Sequence, residues 1–156
     1  MGDISFATKE EVGFILADTI ELFPETSFLF CSKNPGAYFT WELPFPDNLY
    51  LGTTIETNRD HGLSKAPPPI NRYCDLSSFK HPHKFLSIEP IIDFDLDTMV
   101  RMVGHIRPDI VEVGADNYWN HLPEPSWVKV EALLEALRRF VPRVVEKEGL
   151  ERLRRG

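Results

Sequence analysis

The sequence predicts an α/β protein in which about five parallel strands alternate with helices and form a partial, roughly half, TIM-type barrel. Three observations carry this expectation. Short apolar runs begin near residues 27, 49, 85, 109 and 141, with helical periodicity in several of the intervals between them. That order is the logic of βαβ units, which close a parallel sheet with right-handed crossovers. The strands also place polar residues repeatedly on one side, whereas a parallel sheet covered on both faces is apolar throughout.

Thr8 and Glu11 form a capping box, and Val12, Ile15, Leu16 and Ile20 fall on one face of the helix that follows, which Pro24 ends. Ser27–Cys31 is too short and too aromatic for a typical helix and reads as a buried strand. Asn34-Pro-Gly36 punctuates its end, and Pro44, Pro46, Asp47 and Asn48 lead into a second strand, Leu49–Ile55. A polar stretch with Pro67-Pro68-Pro69 precedes a short helix from about Asn71 to Phe79. Lys84–Ile88 is the third strand. Asp95 or Asp97 can cap a helix carrying Met99, Val100, Val103 and Ile106, and Asp109–Val113 is the fourth strand. Ser126 can cap a helix with Val130, Leu133, Leu134 and Leu137 on its buried face. Phe140–Val145 reads as a fifth, proline-interrupted strand, and Leu150–Arg155 as an amphipathic, basic tail. With no internal repeat and no domain-scale linker, residues 1–156 read as a single α/β unit.

Side chains alternate along a strand. Leu51, Thr53, Ile55, Leu86, Ile88, Val111 and Val113 make an aliphatic face suited to packing under helices. Tyr50, Gly52, Thr54, Glu56, Phe85, Ser87, Glu89, Ile110, Glu112 and Gly114 make the other, which ends in polar or acidic groups. Parallel α/β sheets bind ligands at the carboxyl ends of their strands. Those ends carry Ser32, Lys33 and Asn34, then Thr54, Glu56, Asn58 and Arg59, then Glu89, then Asp116 and Asn117, and last Lys147. The pattern reads as a polar ligand cavity, with solvated loop charges as the alternative.

Composition narrows the function classes. The 156 residues are 42% hydrophobic and 26% charged, an ordinary globular balance. A net charge of −7 argues against a broad phosphate-binding surface, so nucleic acid is not an expected partner. No apolar run approaches the roughly 20 residues of a membrane span, and no secretory leader is read at the N-terminus. Cys31 and Cys74 lie far apart, which is neither a disulfide framework nor a metal motif, so a reducing cytoplasm is the default location.

Three segments together resemble the radical S-adenosylmethionine superfamily, and within it the radical-SAM-like family described from phage proteins. They are Ser32-Lys-Asn-Pro35, Asn48-Leu-Tyr-Leu-Gly-Thr-Thr-Ile-Glu-Thr-Asn58 and Phe85-Leu-Ser-Ile-Glu-Pro90, followed by a Val-Pro-x-x-Val-x-Lys strand at Val141–Lys147. The resemblance runs from about residue 26 to 148. The three clustered cysteines of the family are absent, as are its first strands. Val113-Gly-Ala-Asp-Asn117 replaces the family's glycine-glycine-glutamate-serine strand end. A full barrel typically needs about 250 residues, so the resemblance implies its C-terminal half.

That implies S-adenosylmethionine as a ligand, with no iron–sulfur cluster held by this chain, since radical cleavage requires several closely placed thiolates. Cys31 is expected to point toward the helices and Cys74 to lie on one. Ser32, Thr54, Glu56, Glu89 and Asp116 can accept hydrogen bonds from ribose hydroxyls or an ammonium, and Lys33, Arg59 and Lys147 can pair with a carboxylate or phosphate. Asn58 belongs to the same wall. Glu56 and Glu89 read equally as parts of an internal ion-pair network with Lys33, Arg59 or Lys147, and Glu112 as a buried partner of Arg143. A half-barrel leaves two strand edges and an inner face to cover. A homodimer or a partner supplying the missing strands and cysteines would cover them, as would the chain's own helices folding over.

Two alternatives stand beside the split-barrel reading: a non-catalytic interaction module using the open face, and a hydrolase or lyase with Glu56 and Glu89 as an acid–base pair, one carboxyl raised. His81 and His83 read as solvent-facing, His61 and His121 as loop residues near the strand ends, and His105 as helix surface. Tyr118, Trp119 and Trp127 read as a pocket wall, a lid or plain packing. Arg152, Arg154 and Arg155 read as a solvated helix end.

Overall fold

The computed structural model describes residues 3–154. Its elements follow the order α1 (Lys9–Ile15), β1 (Phe28–Ser32), α2 (Ala37–Trp41), β2 (Leu49–Thr54), α3 (Pro69–Ser78), β3 (Lys84–Ile88), α4 (Leu96–Ile106), β4 (Ile110–Val113), α5 (Trp127–Leu137) and β5 (Arg143–Glu146). A wider π-type turn, Leu16–Ile20, continues α1, and short 3₁₀ turns cover Ile4–Phe6 and Leu150–Arg154. Arg155 lies outside the described residues.

All five strands are parallel and stand in the order β1-β2-β3-β4-β5. When every strand pairs with the one before it, right-handed crossovers carry each connecting helix to the same face. The helices accordingly form one layer, α1 touching α2, α3 touching α4, and α4 touching α5. This is the wall of a partial (β/α) barrel.

Register fixes which side chains face that layer. Phe30, Leu51 and Lys84 are aligned across three strands, and Ser32, Thr53, Leu86 and Val111 across four. Leu49, Leu51, Leu86, Ile88, Val111 and Val113 are fully buried beneath the helices, against Leu76, Met99, Val103, Ile106, Val130 and Leu133. Each such side chain contributes roughly 1.5–3 kcal/mol of transfer free energy. Leu29 and Cys31, then Tyr50 and Gly52, then Phe85 and Ser87, then Ile110 and Glu112 occupy the opposite face.

Cys31 therefore departs from expectation. It pairs with Gly52 on the open face, because Phe28, Phe30 and Ser32 take the positions under the helices. Buried Lys84 faces the helices and donates from Nζ to the Leu76 carbonyl at 2.8 Å. That carbonyl belongs to the last turn of α3, the negative end of its dipole.

The capping box of α1 forms, with Glu11 N–H donating to Thr8 Oγ1 at 3.2 Å and Thr8 N–H donating to Glu11 Oε2 at 2.8 Å. Asp95 and Ser126 occupy the N-cap positions of α4 and α5 without making side-chain capping bonds. Asp95 is held instead by Arg59 and Asn58; nothing in the structure explains Ser126. Helix α3 starts two residues early, at Pro69, since proline fits the first helical position. Strand β5 starts late, at Arg143. Pro142 has no N–H to pair, and Val141 N–H is spent on the Leu137 carbonyl at the end of α5.

Helix α2 is an addition to the expected elements. It carries buried Tyr38, whose hydroxyl lies 3.0 Å from the Phe30 carbonyl and 2.7 Å from that of Gly52, fastening β1 to β2. Among the described residues no helix is long and apolar enough to cross a membrane.

Gly52 makes the register testable. A Cβ there would stand 2.8 Å from the Phe85 ring and 2.9 Å from the Phe85 carbonyl oxygen, and the latter is sheet backbone that cannot yield. Gly52→Ala is expected to lower stability by about 1–3 kcal/mol, read as a reduced midpoint in urea denaturation with an unchanged slope.

Candidate functional site

Parallel strands end together, so β1, β2, β3 and β4 deliver their following residues to one end of the sheet. The groups there form four clusters. In the first, Glu56, two residues past β2, is only 5% exposed. Its Oε1 lies 2.5 Å from Lys33 Nζ and its Oε2 2.9 Å from Arg72 Nη1. Thr54 Oγ1 donates to Glu56 Oε1 at 3.2 Å. Burial alone would raise the Glu56 carboxyl, but the Lys33 ammonium and the Arg72 guanidinium more than reverse this and hold it below its ordinary value.

Arg72 is 2% exposed and is the residue of this cluster that sequence reading missed. Nη1 also reaches the Thr54 carbonyl at 2.7 Å and Thr54 Oγ1 at 3.0 Å, while Nε is buried without a partner among the described residues. An unpaired buried donor costs about 1–3 kcal/mol. A signal was available: Arg72 stands four residues before buried Leu76, on the inward face of α3 and near its positive N-terminal end, where a cation needs an anion.

The second cluster ties Arg59 to Asp93 and, at 2.6 Å, to Asp95. Asn58 Nδ2 donates to Asp95 Oδ2 at 3.1 Å, and Lys129 Nζ lies 2.6 Å from Asp93 Oδ1. The bonds from Arg59 and then Asn58 draw the Asp95 carboxyl down to about 2. In the third, Lys147 Nζ lies 2.7 Å from Glu89 Oε2 and 3.5 Å from Glu112 Oε2. Glu112 thus pairs with Lys147 and not with Arg143, which is exposed on the edge strand. In the fourth, Asp116 Oδ1 accepts from Asn120 Nδ2 at 2.7 Å and from Tyr118 N–H at 3.2 Å, folding back into its own loop.

The structure therefore brings Lys33, Thr54 and Glu56 together, Asn58 and Arg59 together, and Glu89 with Lys147. Ser32 is turned away: it lies under the helix-facing side, and its hydroxyl donates to Asp3 and accepts from Asn34 N–H at 2.8 Å. A cavity of about 280 Å³ opens beside the first cluster, with Lys33, Glu56 and Arg72 on one side and Pro90 and Ile92 on another. Thr57, Arg59, Leu122 and most of the segment from Asp60 through Pro69, including His61, complete its lining. That volume is at the small end of ligand clefts, which run from about 300 to 1,000 Å³.

The other singled-out residues do different work. His81 Nε2 lies 2.6 Å from the Leu49 carbonyl and His83 Nδ1 3.3 Å from Asp109 Oδ2. Neither is a free solvent-facing side chain, because each closes a bond at the amino end of the sheet. His105 Nδ1 lies 2.7 Å from the Tyr73 hydroxyl. Tyr118 and Trp119 are 89% and 75% exposed and line no wall of the cavity. The tail is not simply solvated: Arg152 bonds Glu124 and the Asp116 carbonyl and lies over Trp119, and Arg154 lies over the Trp127 ring at 4.3 Å. The thiols do not fit an iron–sulfur cluster. Cys31 sits in β1, pushed up to about 12 by burial and by the nearby carboxylates, while Cys74 is exposed on α3. No protein-family model, no curated protein and no solved structure matches this chain.

The Glu56 pair has a pH signature. Its folded pKa is below the ordinary 4.5, so the stabilisation is complete above that pH and is lost as the pH falls through the folded value. Glu56→Gln is expected to flatten the acid limb of the stability–pH profile measured by denaturation. Glu56→Ala, which leaves Arg72 uncompensated, is expected to cost about 3–5 kcal/mol at neutral pH.

Proposed function

We propose that this chain is one half of a radical S-adenosylmethionine-type barrel, a binding wall for a small polar ligand that works beside a partner or a second copy supplying the missing strands. The Lys33–Glu56–Arg72 cluster at the mouth of a strand-end cavity is the observation that carries the reading. The three segments that resemble that family end on neighbouring strands β1, β2 and β3, which adds support. S-adenosylmethionine, when bound, supplies the sulfonium that a reducing cluster cleaves, and that cluster would belong to the partner. This chain's part is binding and orientation. Glu56 offers carboxylate oxygens to hydroxyls or an ammonium, Lys33 and Arg72 offer positive charge, and Pro90 and Ile92 exclude water from one side. Free thiols at Cys31 and Cys74 are compatible with a cytoplasmic setting.

The interaction-module reading has its own support. Leu29 on β1 is 45% exposed at the edge of the open face, and a binding partner would cover it. The acid–base reading finds less, since Glu56 is held below the ordinary carboxylate range, where it is a poor acid.

Calorimetric titration with S-adenosylmethionine separates the readings. The wild-type protein is expected to bind it, and Glu56→Gln to weaken binding at least tenfold. An absence of binding heat in the wild type would leave the interaction module standing in its place.

A further inference from the structure

A second, open cleft of about 580 Å³ lies at the amino end of the sheet, between the last turns of α3 and α4 and the start of β3. Its volume is within the range of ligand clefts, about 300 to 1,000 Å³. Tyr73, Ser77, His81, Lys84, His105 and Arg107 supply its polar lining, and among the described residues no carboxylate joins them. In a chain of net charge −7, a concave surface with two cationic side chains and no acid is an exception.

Arg107 is the unusual member. It follows α4 with φ 55° and ψ 56°, the left-handed conformation that suits glycine and strains a residue with a side chain. Its N–H closes the helix on the Val103 carbonyl, a bond that needs no particular side chain. The guanidinium is exposed and enters no hydrogen bond or ion pair among the described residues. Strain kept for a side chain with no internal partner marks a functional position.

Lys84 brings the second charge, its Nζ held 2.8 Å from the Leu76 carbonyl. Burial and then the Arg107 charge draw this ammonium below its ordinary value, with no carboxylate opposing them. Asp109 stays outside the lining, its Oδ2 accepting from Lys84 N–H at 3.1 Å and lying 3.3 Å from His83 Nδ1. The ends of α3 and α4 offset the two cations by about half a charge each, which leaves roughly one positive charge. His105 Nδ1 lies 2.7 Å from the Tyr73 hydroxyl. With that hydroxyl donating, Nε2 carries the ring proton and is a further donor.

We propose that this cleft binds a phosphate group, with Arg107 as its main contact, His105 as a neutral donor and Lys84 as a charge set behind them. Phosphate suits the arrangement because its oxygens accept from donors that arrive from different elements, and a guanidinium matches two of them at once. The site lies at the other end of the sheet from Lys33 and Glu56, so it stands or falls independently of the reading of that cavity.

The test titrates the ¹⁵N-labelled full chain with inorganic phosphate at fixed pH, with chloride at matched ionic strength as the control. The backbone amides of Gly104 and Arg107 and the His105 ring proton, assigned by its loss in His105→Gln, are followed. Phosphate is expected to shift them saturably and chloride to leave them in place. Arg107→Gly is expected to weaken phosphate binding at least tenfold while unfolding at or above the wild-type midpoint in urea, since glycine relieves the left-handed backbone. Glycerol 3-phosphate then identifies the source: tighter binding than inorganic phosphate assigns the group to a larger monoester, equal binding to the free ion, and either upholds the site. Shifts with phosphate no larger than those with chloride would overturn the proposal and leave Arg107 and Lys84 as partners of the helix ends alone. Unchanged affinity in Arg107→Gly would overturn it equally. The wild-type comparison of phosphate with chloride decides the matter even if the variant does not fold.

Discussion

The constraint on which this structure rests is the handedness of its connections. Five parallel strands in sequential order, each crossover turning the same way, leave the helices no choice of face. One side of the sheet becomes a dry core beneath that layer. Because the strands also run the same way, their carboxyl ends share a rim, and residues distant in sequence meet there. Lys33 meets Glu56 and Arg72, and Glu89 meets Lys147, through topology and not through local motif.

Electrostatics then divides the rim. Glu89 and Asp93 each lie against a cation in partly exposed positions, where solvent screening keeps such pairs modest. Glu56 and Arg72 are nearly inaccessible, so their coupling is strong and removing either partner strands the other. The difference separates what holds the loops from what shapes the cavity.

Strand alternation was legible because it reflects a period of two. The sequence alone assigns Leu51, Leu86 and Val111 to the helix side, and Glu56 and Glu89 to the polar strand ends. Cys31 breaks from expectation because Phe28, Phe30 and Ser32 take the helix-facing positions of β1, and alternation then puts Cys31 on the opposite face. Helix α2 is five residues long, too brief for periodicity to register, yet its Tyr38 joins two strands. Arg72 is hidden from sequence reading for a different reason. Its partner lies on another element, and a solitary arginine in a helix usually means solvent. Asp95 shows the converse: position made it an N-cap, but a guanidinium from a distant loop captured its carboxylate.

The 3₁₀ turn at Ile4–Phe6 is anchored by Asp3, which accepts from the Ser32 hydroxyl and from Lys33 N–H at 3.2 Å. The opening of the described chain is thereby moored at the carboxyl end of β1, directly next to the residue whose ammonium reaches Glu56. The first described turn and the end of β1 are thus one unit, and the Lys33 backbone takes its place from a carboxylate 30 residues earlier in the chain.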